Sequence, residues 1–314
     1  MNGLELSRGY YEEYGRPMLE KEFPELLQFV AAGFTGSGSE HYGFDDETSQ
    51  DHDFEPGFCI FLPGEDVVSR RDAFLLERAY AKLPKEYCGV KRQPISPVGG
   101  NRNGVMRTAE YYASTVGSGD GVLTKEAWLH IPDYALAEAV NGEIFFDGFG
   151  EVTRIREGLR NMPEDILKKR IAGNLIVMAQ AGQYNFVRCL KHGEPEAAQL
   201  ACVEFVNAAM KTAFLLNRSY MPYYKWSFRA LRALPGGEAL AEKLSRLLRG
   251  DNAEEQTANE KSCIIEGIAK EFSAELKRRG MTNSDSQELE QHAYAVNDGI
   301  RDSEVRNRNI FEGA

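Results

Sequence analysis

Apolar residues in the first thirty positions recur at near-helical spacing, through Tyr10, Tyr14, Met18, Phe23, Leu26, Leu27, Phe29 and Val30, with Pro17 and Pro24 as punctuation. That period predicts an amphipathic helix running into a glycine-rich turn. The segment GFTGSGSEHYGFDDETSQDHDFEPGFCIFLP then shows small residues and carboxylates. It closes on a short apolar run, Phe58-Cys59-Ile60-Phe61-Leu62, of the length and character of a buried strand. A strand, turn, strand unit is expected. Helical periodicity returns over 65–86 through Val67, Phe74, Leu75, Leu76, Ala79, Tyr80 and Leu83, followed by the loop chemistry of PISPVGGNRNG, a place for a hinge or flap. Helical pieces near 106–117 and 132–140 precede GEIFFDGFG, where Ile144-Phe145-Phe146 reads as a strand ended by an Asp-Gly turn.

From about residue 164 strand signals vanish. EDILKKRIAGNLIVMAQAGQYNFVRCL, EPEAAQLACVEFVNAAMKTAFLLN and GGEALAEKLSRLLRG carry apolar stripes at i, i+3, i+4. The polar stretch 251–262 predicts a long loop or a lengthened helix start before a helix through Ile264, Ile265, Ile268, Phe272 and Leu276. Beyond Met281 the chain turns polar, with Ile310-Phe311 as its one evident docking hydrophobe. The fold class that follows is an α/β (α+β) domain with a short mixed sheet over 1–160, then an all-α helical bundle over 161–314.

The totals narrow the functions. A length of 314 residues favours two domains. A formal net charge of -11 argues against a sequence-independent nucleic-acid binder, which needs clustered Lys and Arg. No apolar run approaches the roughly 20 residues of a membrane span, and the first residues lack a basic and then apolar leader pattern. Five scattered cysteines without a CxxC pair predict neither a disulfide framework nor a structural zinc site, and a reducing cytoplasm is the expected compartment.

The chemistry concentrates in two elements. Gly36-Ser37-Gly38-Ser39 lets backbone approach a polyphosphate closely, with two hydroxyls to bind its oxygens. Asp51-His52-Asp53 follows after eleven residues, and aspartates at i and i+2 of a strand point the same way and can share a hard cation such as Mg²⁺. In this order and spacing the two elements resemble the nucleotidyltransferase superfamily signature: Gly-Gly or Gly-Ser, nine to thirteen residues, then Asp-apolar-Asp/Glu. Together with NGEIFFD, AQAGQYNFVRCL and LLNRSYMPYYKW, the chain from about residue 10 to 240 resembles a branch of unknown function related to aminoglycoside nucleotidyltransferases.

The resemblance implies a nucleotidyltransferase-like first domain and a helical domain closing over nucleotide and acceptor. It implies Asp51 and Asp53 as catalytic Mg²⁺ ligands, and Gly36, Ser37, Gly38 and Ser39 as phosphate contacts for ATP or another nucleoside triphosphate. From the helical half, Tyr184 and Arg188 share a face at i, i+4. The Pro222 break sets Tyr220 and Lys225 among aromatic residues, where Lys225 would neutralise phosphate and a tyrosine would stack on the base. Two features depart from the pattern. His52 stands where an apolar residue is usual, and the third carboxylate is not evident, with Glu110, Glu143 and Asp147 as candidates.

The expected reaction is Mg²⁺-dependent transfer of a nucleoside monophosphate, AMP from ATP first, to the hydroxyl of a small molecule. A protein or RNA end as acceptor, and a nucleotide-binding regulator whose catalysis has lapsed, stand as alternatives. Neither a membrane nor nucleic acid is an expected partner, and a homodimer is compatible with the chain.

Overall fold

The computed structural model describes residues 1–46, 54–92 and 102–314. Its helical opening is bipartite: α1 (Gly3–Tyr10) passes through a π-helical turn, Tyr11–Gly15, into α2 (Arg16–Glu22). Asn2 caps α1 by accepting from the Glu5 N–H at 2.9 Å while the Glu5 carboxylate accepts from the Asn2 N–H, a reciprocal capping box. Pro17 interrupts nothing, because it stands in the first turn of α2, where its missing N–H costs little.

Strands β1 (Ala31–Phe34) and β2 (Cys59–Leu62) are antiparallel, and both are buried along their full length. The apolar run at 58–62 is thus the strand that its composition predicts. Helix α3 (Arg70–Lys82) is capped by Ser69 and buries Leu76, Ala79 and Tyr80. A short hairpin of β3 (Glu86–Tyr87) and β4 (Val90–Lys91) follows. Then come β5 (Gly104–Arg107), α4 (Thr108–Val116), α5 (Lys125–His130), α6 (Asp133–Val140), β6 (Glu143–Asp147) and α7 (Glu151–Arg160). The main sheet has the order β5-β2-β1-β6, with β5 parallel to β2 and the other pairs antiparallel, which makes it mixed.

Two compact units divide the chain: Met1–Val122 with Ala135–Asn161, and Leu123–Tyr134 with Met162–Ala314. The first is organised around aromatic residues. The Tyr80 hydroxyl donates to the Phe58 carbonyl at 2.9 Å and accepts from the Phe58 N–H at 3.0 Å, so one buried side chain meets both backbone groups just ahead of β2. Tyr10, fully buried beside Phe58, donates to the Pro84 carbonyl at 2.8 Å. Burying a large apolar side chain of this kind stabilises by about 1.5–3 kcal/mol.

The second unit, among the described residues, is helical: α5, then α8 (Glu164–Met178), a π-helical stretch Ala179–Phe186, α9 (Val187–Lys191), α10 (Pro195–Leu216), α11 (Tyr224–Ala233), α12 (Gly237–Arg249), α13 (Glu255–Arg278), α14 (Leu289–Asp298) and α15 (Ser303–Asn307). Residues 255–262 extend α13, so the polar interruption is a lengthened helix start. α10 has the length and apolar content to cross a membrane, which corrects the expectation that no run approaches that size. Its residues Phe205, Val206, Ala209, Phe214 and Leu215 are nevertheless buried within this unit.

The polar tail is a second correction. Leu289, Ala293, Val296, Ile300 and Val305 are buried, whereas Phe311 of the expected docking pair is exposed. Lys169 of α8 explains much of this docking: fully buried, its ammonium donates to Asn297 Oδ1 at 2.9 Å and to the carbonyls of Arg308 at 2.7 Å and Arg306 at 3.2 Å. A tail rich in polar groups thus satisfies a buried charge that apolar residues could not.

Candidate functional site

The antiparallel register gathers three segments at one edge of the sheet. β1 leaves it at Phe34, β2 begins opposite Gly33 at Cys59, and β6 begins opposite Phe34 at Glu143. Gly33 is required there, because a Cβ would come 2.6 Å from the Glu143 carbonyl at the irregularity where β6 shifts register. Beyond this edge the backbone takes conformations that favour glycine, with φ +137° at Gly36 and +125° at Gly38, then turns into a 3₁₀ helix, Ser39–Tyr42, closed by Gly43 at φ +65°.

Three neighbours define the turn. Asn141, between α6 and β6, accepts from the Gly36 N–H at 3.0 Å and donates to the Gly36 carbonyl at 2.7 Å. The Glu40 carboxylate folds back over Gly38, where a Cβ would meet Oε1 at 2.2 Å; its Oε2 accepts from the Ser39 hydroxyl at 3.4 Å, and Arg102 lies 3.8 Å from Oε1. His41 is buried and stacked on Phe34 at 4.1 Å between ring centroids. Burial, then the nearby Arg102 charge, pushes its imidazole down to about 3, so the ring is neutral.

Asp51 and Asp53, expected to hold metal, lie outside the described residues, as does most of the expected flap at 94–104. Asp53 stands six positions before Cys59, the residue at which β2 begins. Among the described residues no group of three or more His, Cys, Asp or Glu side chains could hold a metal ion.

The three candidates for a third carboxylate differ in place. Glu110 is exposed on α4. Asp147 pairs with Ala31 at the far end of β1 and accepts from the Gly150 N–H at 2.8 Å and from the Thr153 N–H and hydroxyl at 2.7 Å each, so it fastens the start of α7. Glu143 stands at the edge of the turn and forms an ion pair with Arg8.

In the second unit the structure brings Tyr184 and Arg188 together: the Arg188 guanidinium donates to the Tyr184 hydroxyl at 2.9 Å and lies 5.0 Å from its ring centroid. Tyr184 lines an open cavity of about 670 Å³ with Gln183, Asn185, Glu266, Glu288 and Glu290. Three carboxylates give that cavity a field that favours a cation over a phosphate. Tyr220 is buried, and burial raises its hydroxyl's pKa. Lys225, in the first turn of α11, is exposed beside Tyr223 and Tyr224, whose rings pack 4.4 Å apart. Tyr134 meets Tyr223 edge-on at 6.1 Å.

Asn141 and Arg156 escaped the sequence reading. Arg156 left a signal, since it shares with Val152, Ile155 and Leu159 the buried face of α7, an arginine within an apolar stripe. Asn141 left less, as Asn141-Gly142 reads as turn chemistry alone.

A family model described as Domain of unknown function (DUF4037) matches residues 128–227. That span holds Asn141, Arg156, Arg170, Tyr184, Arg188, Tyr220 and Lys225, and it excludes the turn at 36–39 and Asp51 and Asp53. No curated protein matches the chain. Among solved structures, the chain is similar to a nucleotidyltransferase-like protein from Exiguobacterium sibiricum 255-15, with 12% identity, 88% of this chain and 81% of that chain covered, and a TM-score of 0.37.

Proposed function

We propose that the protein is a Mg²⁺-dependent nucleotidyltransferase that moves a nucleoside monophosphate, AMP from ATP first, onto a hydroxyl of a small-molecule acceptor. The observation that carries the reading is the turn after β1. Two glycines at positive φ lead to Ser39, and after eleven intervening residues the chain presents Asp51-His52-Asp53 ahead of a strand that begins at the same sheet edge.

In this reading the backbone of Ser37 and Gly38 and the Ser39 hydroxyl bind the β- and γ-phosphates, and Gly36, whose own N–H and carbonyl are taken by Asn141, shapes the turn. The paired aspartate oxygens are a hard donor set of the kind Mg²⁺ takes. The bound ion would neutralise phosphate charge during attack on the α-phosphorus. Glu143 is the carboxylate best placed to draw the proton from the acceptor hydroxyl, once released from Arg8. We assign Lys225 to phosphate charge, whereas Tyr220 is buried and Tyr184, which binds Arg188, lines a cavity of three carboxylates, so these three take no part in the reading.

Pyrophosphate release from each of the four nucleoside triphosphates, with Mg²⁺ and a panel of hydroxylated small molecules, tests the reading. Acceptor-dependent release that disappears in Asp51→Asn/Asp53→Asn is the expected result, and release unchanged in that variant overturns the metal assignment. A second reading, a nucleotide-binding regulator without turnover, is favoured by the engagement of Glu143 with Arg8 and of Asp147 with α7. It predicts nucleotide binding with no pyrophosphate from any acceptor, a protein or RNA end included.

A further inference from the structure

The turn at Gly36 belongs to neither strand nor helix, so β-ladder bonds do not hold its shape. Its partner is a side chain 105 positions away in sequence. Asn141 Oδ1 accepts from the Gly36 N–H at 3.0 Å and Nδ2 donates to the Gly36 carbonyl at 2.7 Å, so one amide satisfies both backbone groups of the residue at φ +137°. The same Oδ1 accepts from the Thr35 hydroxyl at 3.0 Å. An amide engaged through both ends fixes the plane of the backbone it meets, as a neighbouring strand would.

Asn141 is itself held. Arg156, 3% exposed, donates through Nη2 to the carbonyls of Asn141 at 2.6 Å and Val140 at 2.9 Å, and through Nη1 to the Thr35 hydroxyl at 3.2 Å. No carboxylate among the described residues pairs with this guanidinium. Its charge is met by the carbonyls that end α6 and continue to Asn141, the negative end of a helix. A buried cation therefore backs the residues that hold the turn.

We propose that Asn141 is a positioning residue that presets the Gly36–Ser39 turn in its phosphate-binding form. The inference rests on the nucleotidyltransferase reading, because it names what the clamp is for. Without the amide, Gly36 is free to leave its positive-φ conformation, and each binding event must restore the turn. The penalty then falls on nucleotide affinity more than on folding, since Asn141 is only half-buried and β1 keeps both strand partners.

The test uses the full chain as wild type, Asn141→Ala and Asn141→Asp. Aspartate keeps the size and the acceptor for the Gly36 N–H, but presents an oxygen to the Gly36 carbonyl where a donor is needed. Calorimetric titration with the Mg²⁺ complexes of the four nucleoside triphosphates is paired with thermal melting and with hydrogen exchange of the Gly36 amide in unliganded protein.

Both variants are expected to bind nucleotide at least tenfold more weakly, with melting temperatures within a few degrees of wild type, and in Asn141→Ala exchange at Gly36 is expected to be at least tenfold faster. Wild-type affinity in the folded Asn141→Asp variant would overturn the positioning role while leaving the nucleotide reading intact. Wild-type protection of the Gly36 amide in folded Asn141→Ala, which has no acceptor for it, would overturn the clamp itself. A wild-type chain that binds none of the four nucleotides would remove the reading and this role together.

Discussion

Arg170 of α8 and Asp133 at the start of α6 form an ion pair, Nη2 to Oδ1 at 3.1 Å, with both side chains about nineteen-twentieths buried, at 4% and 5% exposure. The pair is incompletely satisfied, as Arg170 Nη1 and Asp133 Oδ2 have no hydrogen-bond partner among the described residues. Such a pair contributes little net stability over apolar residues of the same size, but removing one member strands the other charge. Asp133→Ala should therefore destabilise the chain by about 3–5 kcal/mol. The double variant Asp133→Leu/Arg170→Met should lose less than the single one. Urea denaturation of the three proteins checks both orderings, and a double variant as unstable as the single would contradict this account.

Gly38 makes a second prediction. A side chain there is strained by the φ of +125° and also meets the Glu40 carboxylate, which must swing away. Gly38→Ala should cost about 1–3 kcal/mol of stability. It should weaken nucleotide binding by more than tenfold, because the displaced carboxylate and the altered turn both touch Ser39. Thermal melting and MgATP titration separate the two effects. Unchanged affinity in a folded variant would remove Gly38 from the phosphate turn.

The pH dependence follows from His41, whose imidazole sits at about 3 in the folded chain against an ordinary 6.5. Between those values the unfolded chain holds a proton on this side chain that the folded chain does not. Stability is therefore fully present above about pH 6.5 and falls as pH drops toward 3, by about 1.4 kcal/mol per pH unit for a single proton. The groups facing the ring include the Glu40 carboxylate, 3.4 Å from Nδ1, Arg102, the backbone of Ser37 and Gly38, and the stacked Phe34. His41→Phe keeps the stack and removes the proton, so its stability should fall less steeply over this range. The difference between the two denaturation series isolates His41 from the carboxylates, and parallel series would show that the ring is protonated when folded.

The strands were legible where apolar runs were short and bounded, as at Phe58–Leu62 and Ile144–Phe146. β5 was not, because Gly104-Val105-Met106-Arg107 has no run to mark it and is made a strand by its parallel pairing with β2. The tail after Met281 reads as polar because its buried residues are single and spaced, and because its carbonyls are used to satisfy Lys169. At the site, glycines and serines announced the turn through their own conformational needs. The side chain that holds it comes from a distant loop, and a single amide carries no periodicity that could reveal its partner.

Lys225 supplies the last prediction. It is exposed in the first turn of α11, and Tyr223 and Tyr224 beside it are 44% and 69% exposed, an unusual display of aromatic surface next to a cation. Neither position supports the core, so Lys225→Met and Tyr224→Ala should leave stability within about 0.5 kcal/mol of wild type. If Lys225 meets phosphate, its loss should weaken nucleotide binding about tenfold, the scale of one charge-assisted hydrogen bond. The salt dependence of binding should also become shallower, because one fewer cation interacts with the polyphosphate. Tyr224→Ala should instead change the preference among the four bases and leave the salt slope as it was. Titrations at two ionic strengths distinguish these outcomes, and wild-type affinity in Lys225→Met would return the lysine to the solvated surface of α11.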